Sequence, residues 1–295
     1  MTNKANVMSF LRLKMKEKFQ NQETVVKSNS LIQAGYRLTL AEQRIILAAI
    51  AQVRRDREIS SGETYSITAN ALSDMTGTSA QRAYKELSDA AQRLYKREVR
   101  IEGGPNGKNN GPSDRVTMTR WVQAVEYVKY EGRIEIEFAS RITPYLSLLH
   151  REFTSYKLAH VAKMRSTHGI RLYEVLQQWR QSGERELDLE DLRRMFGVEG
   201  KYQSIKDLKA RVIEPAIKDV NEQSDLIVDW GQRKKGRQVV AIQFVFEPKD
   251  GYSASSRLTK NGSKKQKDAT ADYIKNNAKP GETWEAARAR LGISS

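Results

Sequence analysis

Two stretches of this sequence match each other and decide the fold: Ala69-Asn-Ala-Leu-Ser-Asp-Met-Thr-Gly77 and Leu189-Glu-Asp-Leu-Arg-Arg-Met-Phe-Gly197. Each has Leu at its fourth position, Met at its seventh and Gly at its ninth, a pattern that predicts a short helix ended by a glycine. The two copies lie 120 residues apart. A repeat of this kind predicts that the chain contains one domain twice.

The same elements surround both copies. A short strand precedes each copy, and a long amphipathic helix follows it, at about Ser79–Lys96 in the first half and Ser204–Asn221 in the second. Strands with turn residues between them come next. A short helix, a turn and a long helix form a helix-turn-helix, and the hairpin after it is a wing. The sequence therefore predicts an α+β fold of tandem winged-helix domains related by internal pseudo-symmetry.

The patterns divide the chain into four segments. They are an N-terminal arm (1–24), a first winged-helix domain (25–150), a second winged-helix domain (151–250) and a flexible basic tail (251–295). Strong helices are predicted near the start of both domains, at Leu38–Val53 and His168–Trp179. Thr39 and Glu42 have the spacing of a capping box at the start of the first of these helices.

Charge defines the class of partner. The chain has 51 Lys and Arg against 36 Asp and Glu, a net charge of +15. Such a charge attracts polyanions, above all DNA, although RNA and membrane surfaces attract basic proteins too. No apolar run approaches the roughly 20 residues that cross a bilayer, and there are no cysteines. We therefore expect a cytoplasmic protein without disulfides.

The two long helices are the candidates for DNA recognition, because a recognition helix inserts its N-terminal part into the major groove. Apolar residues at helical spacing give each helix one buried face and leave cations near its start. The candidate contacts are Arg82 and Lys85 in the first helix, and Lys206, Lys209 and Arg211 in the second. The alternative is a solvated charged surface, with pairs such as Lys85 and Asp89 at i,i+4 spacing.

The second wing is the candidate for phosphate contact. Arg233-Lys234-Lys235-Gly236-Arg237 places four cations in five residues around a turn. Their mutual repulsion favours a polyanion as partner. A solvated hairpin tip is the alternative.

The sequence contains no motif that indicates an enzyme. The only histidines are His150, His160 and His168, and none has the spacing of a metal motif. The loop Gly103–Gly111 resembles a phosphate loop but has Asn109 where the magnesium-binding hydroxyl belongs. The acidic residues from Asp188 to Asp191 are explained as helix-start residues. We expect no enzymatic activity, no metal and no cofactor.

At the level of motifs the sequence resembles the iteron-binding Rep initiators of theta-replicating plasmids, over about residues 25–250. The motifs that carry the resemblance occur in the family's order and spacing. They are Val26-Lys-Ser-Asn29, the run Leu38–Leu47, Phe153-Thr154, Arg171-Leu-Tyr-Glu174 and Lys234-Lys-Gly-Arg-Gln238.

The resemblance implies a plasmid replication initiator whose monomers bind direct repeats (iterons) at the origin, with the two domains in successive major grooves. It also implies dimers that bind an inverted-repeat operator and repress the protein's own gene, as part of copy control. Expected partners are duplex DNA, the host initiator and the replicative helicase. By position, Lys206, Lys209 and Arg211 belong to the main recognition helix, where Ala210 interrupts the denser basic run that family members often have.

Two other classes stay open at this point. One is a tandem winged-helix transcriptional repressor without replication activity. The other is a nicking initiator of rolling-circle replication, which needs a catalytic tyrosine near paired histidines, and no such pair is present.

The first domain is the expected place for a dimer contact. Trp121–Tyr130 and Arg133–Phe138 are predicted to form a long hairpin, and an exposed strand edge can pair with a second chain about a two-fold axis. The alternative is that the hairpin only covers the core of its own domain, as alternating apolar residues such as Val122 and Ile134 would also require.

Overall fold

The computed structural model describes residues 23–107 and 115–249. The predicted tail 251–295 lies outside the described residues, as do most of the predicted arm 1–24 and part of the glycine-rich loop.

The first half of the chain packs helices against two small antiparallel sheets. Its elements are β1 (Thr24–Ser28), α1 (Asn29–Ile32), β2 (Gly35–Tyr36), α2 (Leu40–Ile50), β3 (Thr64–Thr68), α3 (Ala69–Thr76), α4 (Ala80–Leu94), β4 (Glu98–Glu102), β5 (Val116–Arg120), β6 (Val122–Val128) and β7 (Arg133–Phe138). The strand orders are β2-β4-β5 and β3-β7-β6 among the described strands. Strands β5 and β6 therefore each form an edge of a sheet.

Helix α2 begins at the predicted capping box. The Thr39 hydroxyl accepts a hydrogen bond from the Glu42 N–H at 3.3 Å, and the Glu42 carboxylate accepts one from the Thr39 N–H at 2.9 Å. The same carboxylate is fully buried and accepts hydrogen bonds from Arg93 and Arg97 at 2.8–3.0 Å. The cap of α2 is thus also the ion pair that fastens α2 to the C-terminal end of α4.

Helices α3 and α4 form the first helix-turn-helix. Gly77 ends α3 with a positive φ of 73°, a conformation that favours glycine. The Ser79 hydroxyl then caps α4 by accepting a hydrogen bond from the Arg82 N–H. The buried face of α4 consists of Ala83, Leu87, Ala90 and Leu94, four of the positions that the apolar spacing predicts. The spacing also predicts that Tyr84 and Ala91 are buried, but Tyr84 is exposed and Ala91 is only partly buried.

The second half repeats this arrangement around one three-stranded sheet. Its elements are β8 (Phe153–Lys157), α5 (Ala159–Ala162), α6 (Thr167–Gln177), β9 (Glu184–Asp188), α7 (Leu189–Met195), α8 (Ile205–Leu208), a π-helical segment (Lys209–Ile213), α9 (Glu214–Gln223), β10 (Leu226–Lys235) and β11 (Gln238–Pro248). The strand order is β10-β11-β9. Helix α7 precedes Gly197, whose φ is 63°.

The long helix predicted at about Ser204–Asn221 is present, but it is not α-helical throughout. Helix α8 passes into the π-helical segment and then into α9. Pro215 supplies the physical reason, because it has no N–H to donate and its ring would clash with the Arg211 carbonyl four residues earlier in a regular helix. The wider π turn lets the chain continue past this proline.

A buried ionic cluster joins the two halves. Strand β1 pairs with β8, with Lys27 opposite Thr154, so that strands from both sides of residue 150 share one sheet. The Lys27 ammonium is buried and forms an ion pair with Glu174 of α6, which also accepts a hydrogen bond from the Tyr156 hydroxyl. Arg171, one turn before Glu174, donates to the backbone carbonyls of Ala34 and Met195 at 2.7–3.0 Å. Several of the residues that carry the family resemblance therefore meet in a single interior cluster.

Candidate nucleic-acid interface

The second recognition helix comprises α8, the π-helical segment and α9. Its first turn is capped by the Ser204 hydroxyl, which accepts a hydrogen bond from the Lys206 N–H at 3.2 Å. Leu208, Val212 and Ile213 are buried on the side that faces the core. The opposite side of this stretch begins with Lys206 and runs to Arg211, and both of these side chains are exposed. Neither has an ion-pair partner among the described residues, so both cations remain available to a ligand.

Lys209 differs from these two cations because the wing holds it. Its side chain is half-buried, and its ammonium donates a hydrogen bond to Oε1 of Gln232 at 3.2 Å. The same ammonium lies 5.6 Å from the centre of the Trp230 ring, a cation–π distance. Lys209 therefore links the recognition helix to strand β10 and carries its charge between the helix and the wing.

The second wing is the β10–β11 hairpin. Lys235 pairs with Gln238 across a two-residue turn, and Gly236 takes a positive φ of 62° in that turn. Lys234, Lys235 and Arg237 are exposed at the tip, without an ion-pair partner among the described residues. The three cations of the tip thus form one unneutralised positive group.

Arg233 belongs to the predicted wing set but is paired with carboxylates. Its guanidinium donates to Glu186 at 2.8 Å and to Asp188 at 3.1 Å. Strand β9 supplies both acids because it pairs with β11 beside the hairpin. Since 46% of the Arg233 side chain is exposed, an ion pair of this kind contributes only about 0–1 kcal/mol, and Arg233 can still turn toward a phosphate.

The first recognition helix, α4, presents two candidate cations. Arg82 is exposed and donates a hydrogen bond to Glu86 at 2.9 Å, an i,i+4 surface pair. Lys85 is exposed, and the alternative pair with Asp89 is not present among the described ion pairs. The first domain therefore offers fewer free cations along its helix than the second.

Arg193 sets the shape of the second helix-turn-helix, a role that the sequence did not reveal. Its guanidinium donates to the carbonyls of Lys201, Tyr202 and Gln203 at 2.6–3.3 Å, across the turn that leads into α8. Tyr202 has a positive φ of 49°, which is uncommon for a residue other than glycine. Arg193 thus fixes the direction in which the recognition helix leaves the turn. In the sequence, Arg193 is one of two adjacent arginines in a short helix. Nothing in that pattern distinguishes it from an ordinary exposed cation.

The part of the chain that the structure describes contains no group of three or more His, Asp or Glu side chains placed to hold a metal ion. None of its helices is both long enough and apolar enough to cross a membrane.

Two helix-turn-helix units, each followed by a strand hairpin, define a protein with tandem winged-helix domains. Comparison with known families gives the particular family. Residues 24–177 match the family model described as "Initiator Replication protein, WH1", and residues 188–246 match "Initiator Rep protein, WH2". The chain therefore belongs to the initiator replication protein family of plasmids, as the resemblance in its motifs predicts.

Individual relatives agree with this assignment. The chain is 27% identical over 286 residues to a "Replication initiation protein" of Escherichia coli, a match that covers 92% of this chain and 86% of that protein. It is 25% identical over 239 residues to an "Uncharacterized 27.6 kDa protein" of Escherichia coli, covering 77% of this chain and 97% of that protein.

Among solved structures, the chain is similar to the Pi initiator protein, whose crystal structure was determined in complex with iteron DNA. The TM-score is 0.65 at 18% identity, and the match covers 78% of this chain and 99% of that chain. At this identity the similarity concerns the fold. Together with the family match, it confirms the predicted α+β fold with two winged-helix domains.

Proposed function

We propose that this replication initiator binds iterons, the direct repeats of a plasmid origin, with both winged-helix domains on one duplex. The observation that carries the proposal is the free positive surface of the second domain. Lys206 and Arg211 on the recognition helix and the three cations at the tip of the second wing are all exposed. None of these five has an ion-pair partner among the described residues. The Pi initiator, which has a similar fold and was crystallised with iteron DNA, supports the proposal.

The two groups of cations suit different parts of a duplex. A helix that enters the major groove presents side chains from its first turns to base edges. Lys206 and Arg211 have this position, and Lys209 lies between the helix and the wing. The wing tip lies at the end of a ten-residue strand and suits contact with phosphates, which fixes the register without reading sequence. We therefore assign base contact to the helix and phosphate contact to the wing.

The first domain adds a second contact. Arg82 and Lys85 are exposed on α4, and Ser79 caps the end of that helix that would enter a groove. One winged helix covers only a few base pairs, whereas two linked units add area and effective concentration. The proposal therefore requires both domains for specificity.

Nuclease footprinting on the DNA that flanks the protein's own gene tests this function. We expect regularly spaced protection over direct repeats, each protected segment covering about two successive major grooves. Weak protection that is the same over all sequences and only decreases as the salt concentration rises would contradict the proposal. It would mean that the protein is attracted to DNA electrostatically without recognising a sequence.

We further propose that a dimer binds an inverted-repeat operator and represses the protein's own gene. The support is the exposed edge of the first domain. Strands β5 and β6 follow each other along the chain and are both edge strands, and 73% of Met118 and 46% of Val116 on β5 are exposed. Unpaired strand edges with apolar side chains favour pairing with another chain.

The hairpin of β6 and β7 contributes to this edge less than its sequence pattern suggests. Val122, Ile134 and Ile136 are buried, as the alternation predicts. The register shifts between Val122 and Ala124, and Ala124 is exposed although the alternation predicts it to be buried. A β-bulge of this kind bends an edge strand and limits its pairing. Strand β5, which the sequence analysis did not predict, therefore supplies the apolar part of the proposed dimer surface.

A tandem winged-helix repressor without replication activity is the alternative. Melting of origin DNA next to the repeats, detected with permanganate in the presence of the protein, host initiator and replicative helicase, distinguishes the two functions. We expect the chain to melt or help to melt the origin in the bacterial cytoplasm without cutting a strand, so a strand-nicking assay should be blank. Repeat binding without any melting would favour the repressor.

A further inference from the structure

A small cationic pocket lies where the two domains meet. It has a volume of about 170 Å³, roughly that of five or six water molecules at about 30 Å³ each. The segment between β2 and α2 lines it on the side of the first domain. The start of α6 and the turn before the second recognition helix line its other side. The residues that give it its chemistry are Arg37, Gln43, His168, Arg171 and Lys201.

Every charge on the lining of this pocket is positive. Arg37, Arg171 and Lys201 line it, and no carboxylate does. Arg171 is buried and committed to backbone carbonyls and to Tyr36, and its Nη1 lies 3.6 Å from a carboxylate oxygen of Glu174. It therefore adds only a partly neutralised charge to the lining. Lys201 is exposed at the rim, and its ammonium has no partner among the described residues. Arg37 is exposed as well and donates one hydrogen bond to the Glu199 carbonyl at 2.9 Å. An anion between Arg37 and Lys201 would form charge-assisted hydrogen bonds with both.

One residue of the pocket lining has a hydrogen-bond donor without a partner. Gln43 is 2% exposed, and its Nε2 has no hydrogen-bond partner among the described residues. A buried amide without an acceptor is unusual in a folded protein. Nδ1 of His168 is also buried without a partner. Both residues line the same pocket as Arg37 and Lys201.

We propose that this pocket binds a phosphate group. Its size suits the five heavy atoms of one phosphate, and its lining offers an ammonium, a guanidinium and an amide donor without an opposing acid. The occupant bridges Arg37 and Gln43 of the first domain to Lys201 of the second. Lys201 lies three residues before Ser204, which caps the second recognition helix. An anion bound here would therefore contact the turn that leads into that helix. The group comes either from the DNA backbone or from free phosphate.

His168 supplies a direct probe. Burial first, and then the charges of Arg171 and Lys201, lower the pKa of its imidazole. A bound phosphate adds a negative charge beside the ring, so that we expect the His168 pKa to rise and its resonances to shift. With His150 and His160 as the only other histidines, three Cε1–H signals are expected, and a His168→Gln variant assigns the one of interest.

The test is a titration of the full chain with inorganic phosphate at constant ionic strength, followed by NMR on the histidine signals, with chloride as the reference salt. We expect His168 to shift in a saturable way while His150 and His160 stay constant. Lys201→Met should weaken phosphate binding by about tenfold, because it removes a charge-assisted hydrogen bond. Gln43→Met should weaken it without changing the charge. Lys157→Met, an exposed lysine on β8, is the matched control and should bind as the unaltered chain does.

DNA binding by the same variants identifies the source of the phosphate. If the occupant is a backbone phosphate, Lys201→Met should lower the slope of log K against log salt by about 0.9. If the occupant is free phosphate, DNA affinity should be unchanged while phosphate binding is lost. A His168 signal that phosphate moves no more than chloride does, or equal phosphate affinities for Lys201→Met and Lys157→Met, would overturn the site. Because the phosphate titration contains no DNA, its failure is distinguishable from a failure of iteron binding.

Discussion

Substitutions of Lys27 and Glu174 should be strongly coupled in their effects on the free energy of unfolding. Lys27 is 1% exposed and Glu174 is fully buried, and the pair joins β1 to α6. Removing one partner of a buried pair leaves an uncompensated charge and typically costs about 3–5 kcal/mol. Lys27→Met leaves Glu174 with the Tyr156 hydroxyl and with Arg171, whose Nη1 lies 3.6 Å from its second oxygen. We therefore expect Lys27→Met to lower the free energy of unfolding by about 3 kcal/mol.

The second single variant and the double variant complete the cycle. Glu174→Gln leaves the Lys27 ammonium buried near the positive Arg171, and we expect a cost of about 4 kcal/mol. In Lys27→Met/Glu174→Gln neither of the paired charges remains. The cost of the double variant should therefore be smaller than the sum of the two single costs by about 2 kcal/mol.

Urea unfolding, followed by circular dichroism and tryptophan fluorescence together, measures these free energies. Lys157→Met, an exposed substitution on neighbouring β8, is the control and should stay within about 0.5 kcal/mol of the unaltered chain. Additive costs within about 0.5 kcal/mol would refute the reasoning. So would a cost below about 1 kcal/mol for either single variant, because it would mean that water reaches the cluster.

Three further predictions follow from individual contacts. Although burial alone would raise it, hydrogen bonds from Arg97, the Thr39 N–H and Arg93 lower the pKa of Glu42 from its ordinary 4.5. The carboxylate therefore stabilises the fold above pH 4.5, and this contribution is lost as the pH falls through the lowered pKa. Glu42→Gln should cost about 2–3 kcal/mol at pH 7 and progressively less below pH 4.5, and a cost that does not change between pH 7 and pH 3 in urea titrations would contradict this. A Cβ at Gly197 would lie 2.4 Å from the Tyr36 carbonyl oxygen, whereas one at Gly200, also at positive φ, meets nothing within 4 Å. Gly197→Ala should therefore destabilise the chain by at least about 2 kcal/mol more than Gly200→Ala, which carries only the backbone cost of about 1–2 kcal/mol, and equal melting curves would disprove the close contact. Met118→Lys should shift sedimentation toward monomer and abolish inverted-repeat binding while direct-repeat binding persists, whereas Ile227→Lys in the second domain should do neither; loss of both DNA activities by Met118→Lys would mean that one species serves both targets.

Features that depend on neighbouring residues were predictable from the sequence. The capping box of Thr39 and Glu42 and the helix end at Gly77 follow from side chains a few positions apart. The repeat around Leu72 and Leu192 gave the tandem fold because a winged helix has a fixed order of elements. These signals are local, and the structure confirms them.

The features that the sequence did not reveal depend on distant partners or on a single unusual residue. Strand β1 pairs with β8 more than a hundred residues away, and no local pattern of Thr24–Ser28 indicates its partner. Strand β5 is only five residues long, and its alternating apolar residues, Val116 and Met118, lie on the exposed face instead of the buried one. Pro215 lies inside a helical pattern, where the apolar spacing alone predicts a regular helix rather than a π turn.

The candidate DNA contacts divide in the same way. The exposure of Lys206 and Arg211 follows from helical spacing alone. The pairing of Arg233 with Glu186 and Asp188 depends on β9 lying beside β11, an arrangement that becomes visible only in the assembled sheet. The contact of Lys209 with Gln232 and Trp230 has the same origin, since it needs the wing to fold back against the helix.

The salt dependence of binding to the direct repeats, compared between a helix variant and a wing variant, tests the central claim most directly. Arg211→Ala should cost about 1–3 kcal/mol on the preferred sequence and relax the preference at one base position. Lys234→Ala should weaken binding to all sequences alike and lower the slope of log K against log salt by about 0.9. Lys157→Ala, remote from both, should leave affinity and slope unchanged. If Arg211→Ala changed only the salt slope and left the base preference intact, as Lys234→Ala is expected to do, the second recognition helix would not be reading bases.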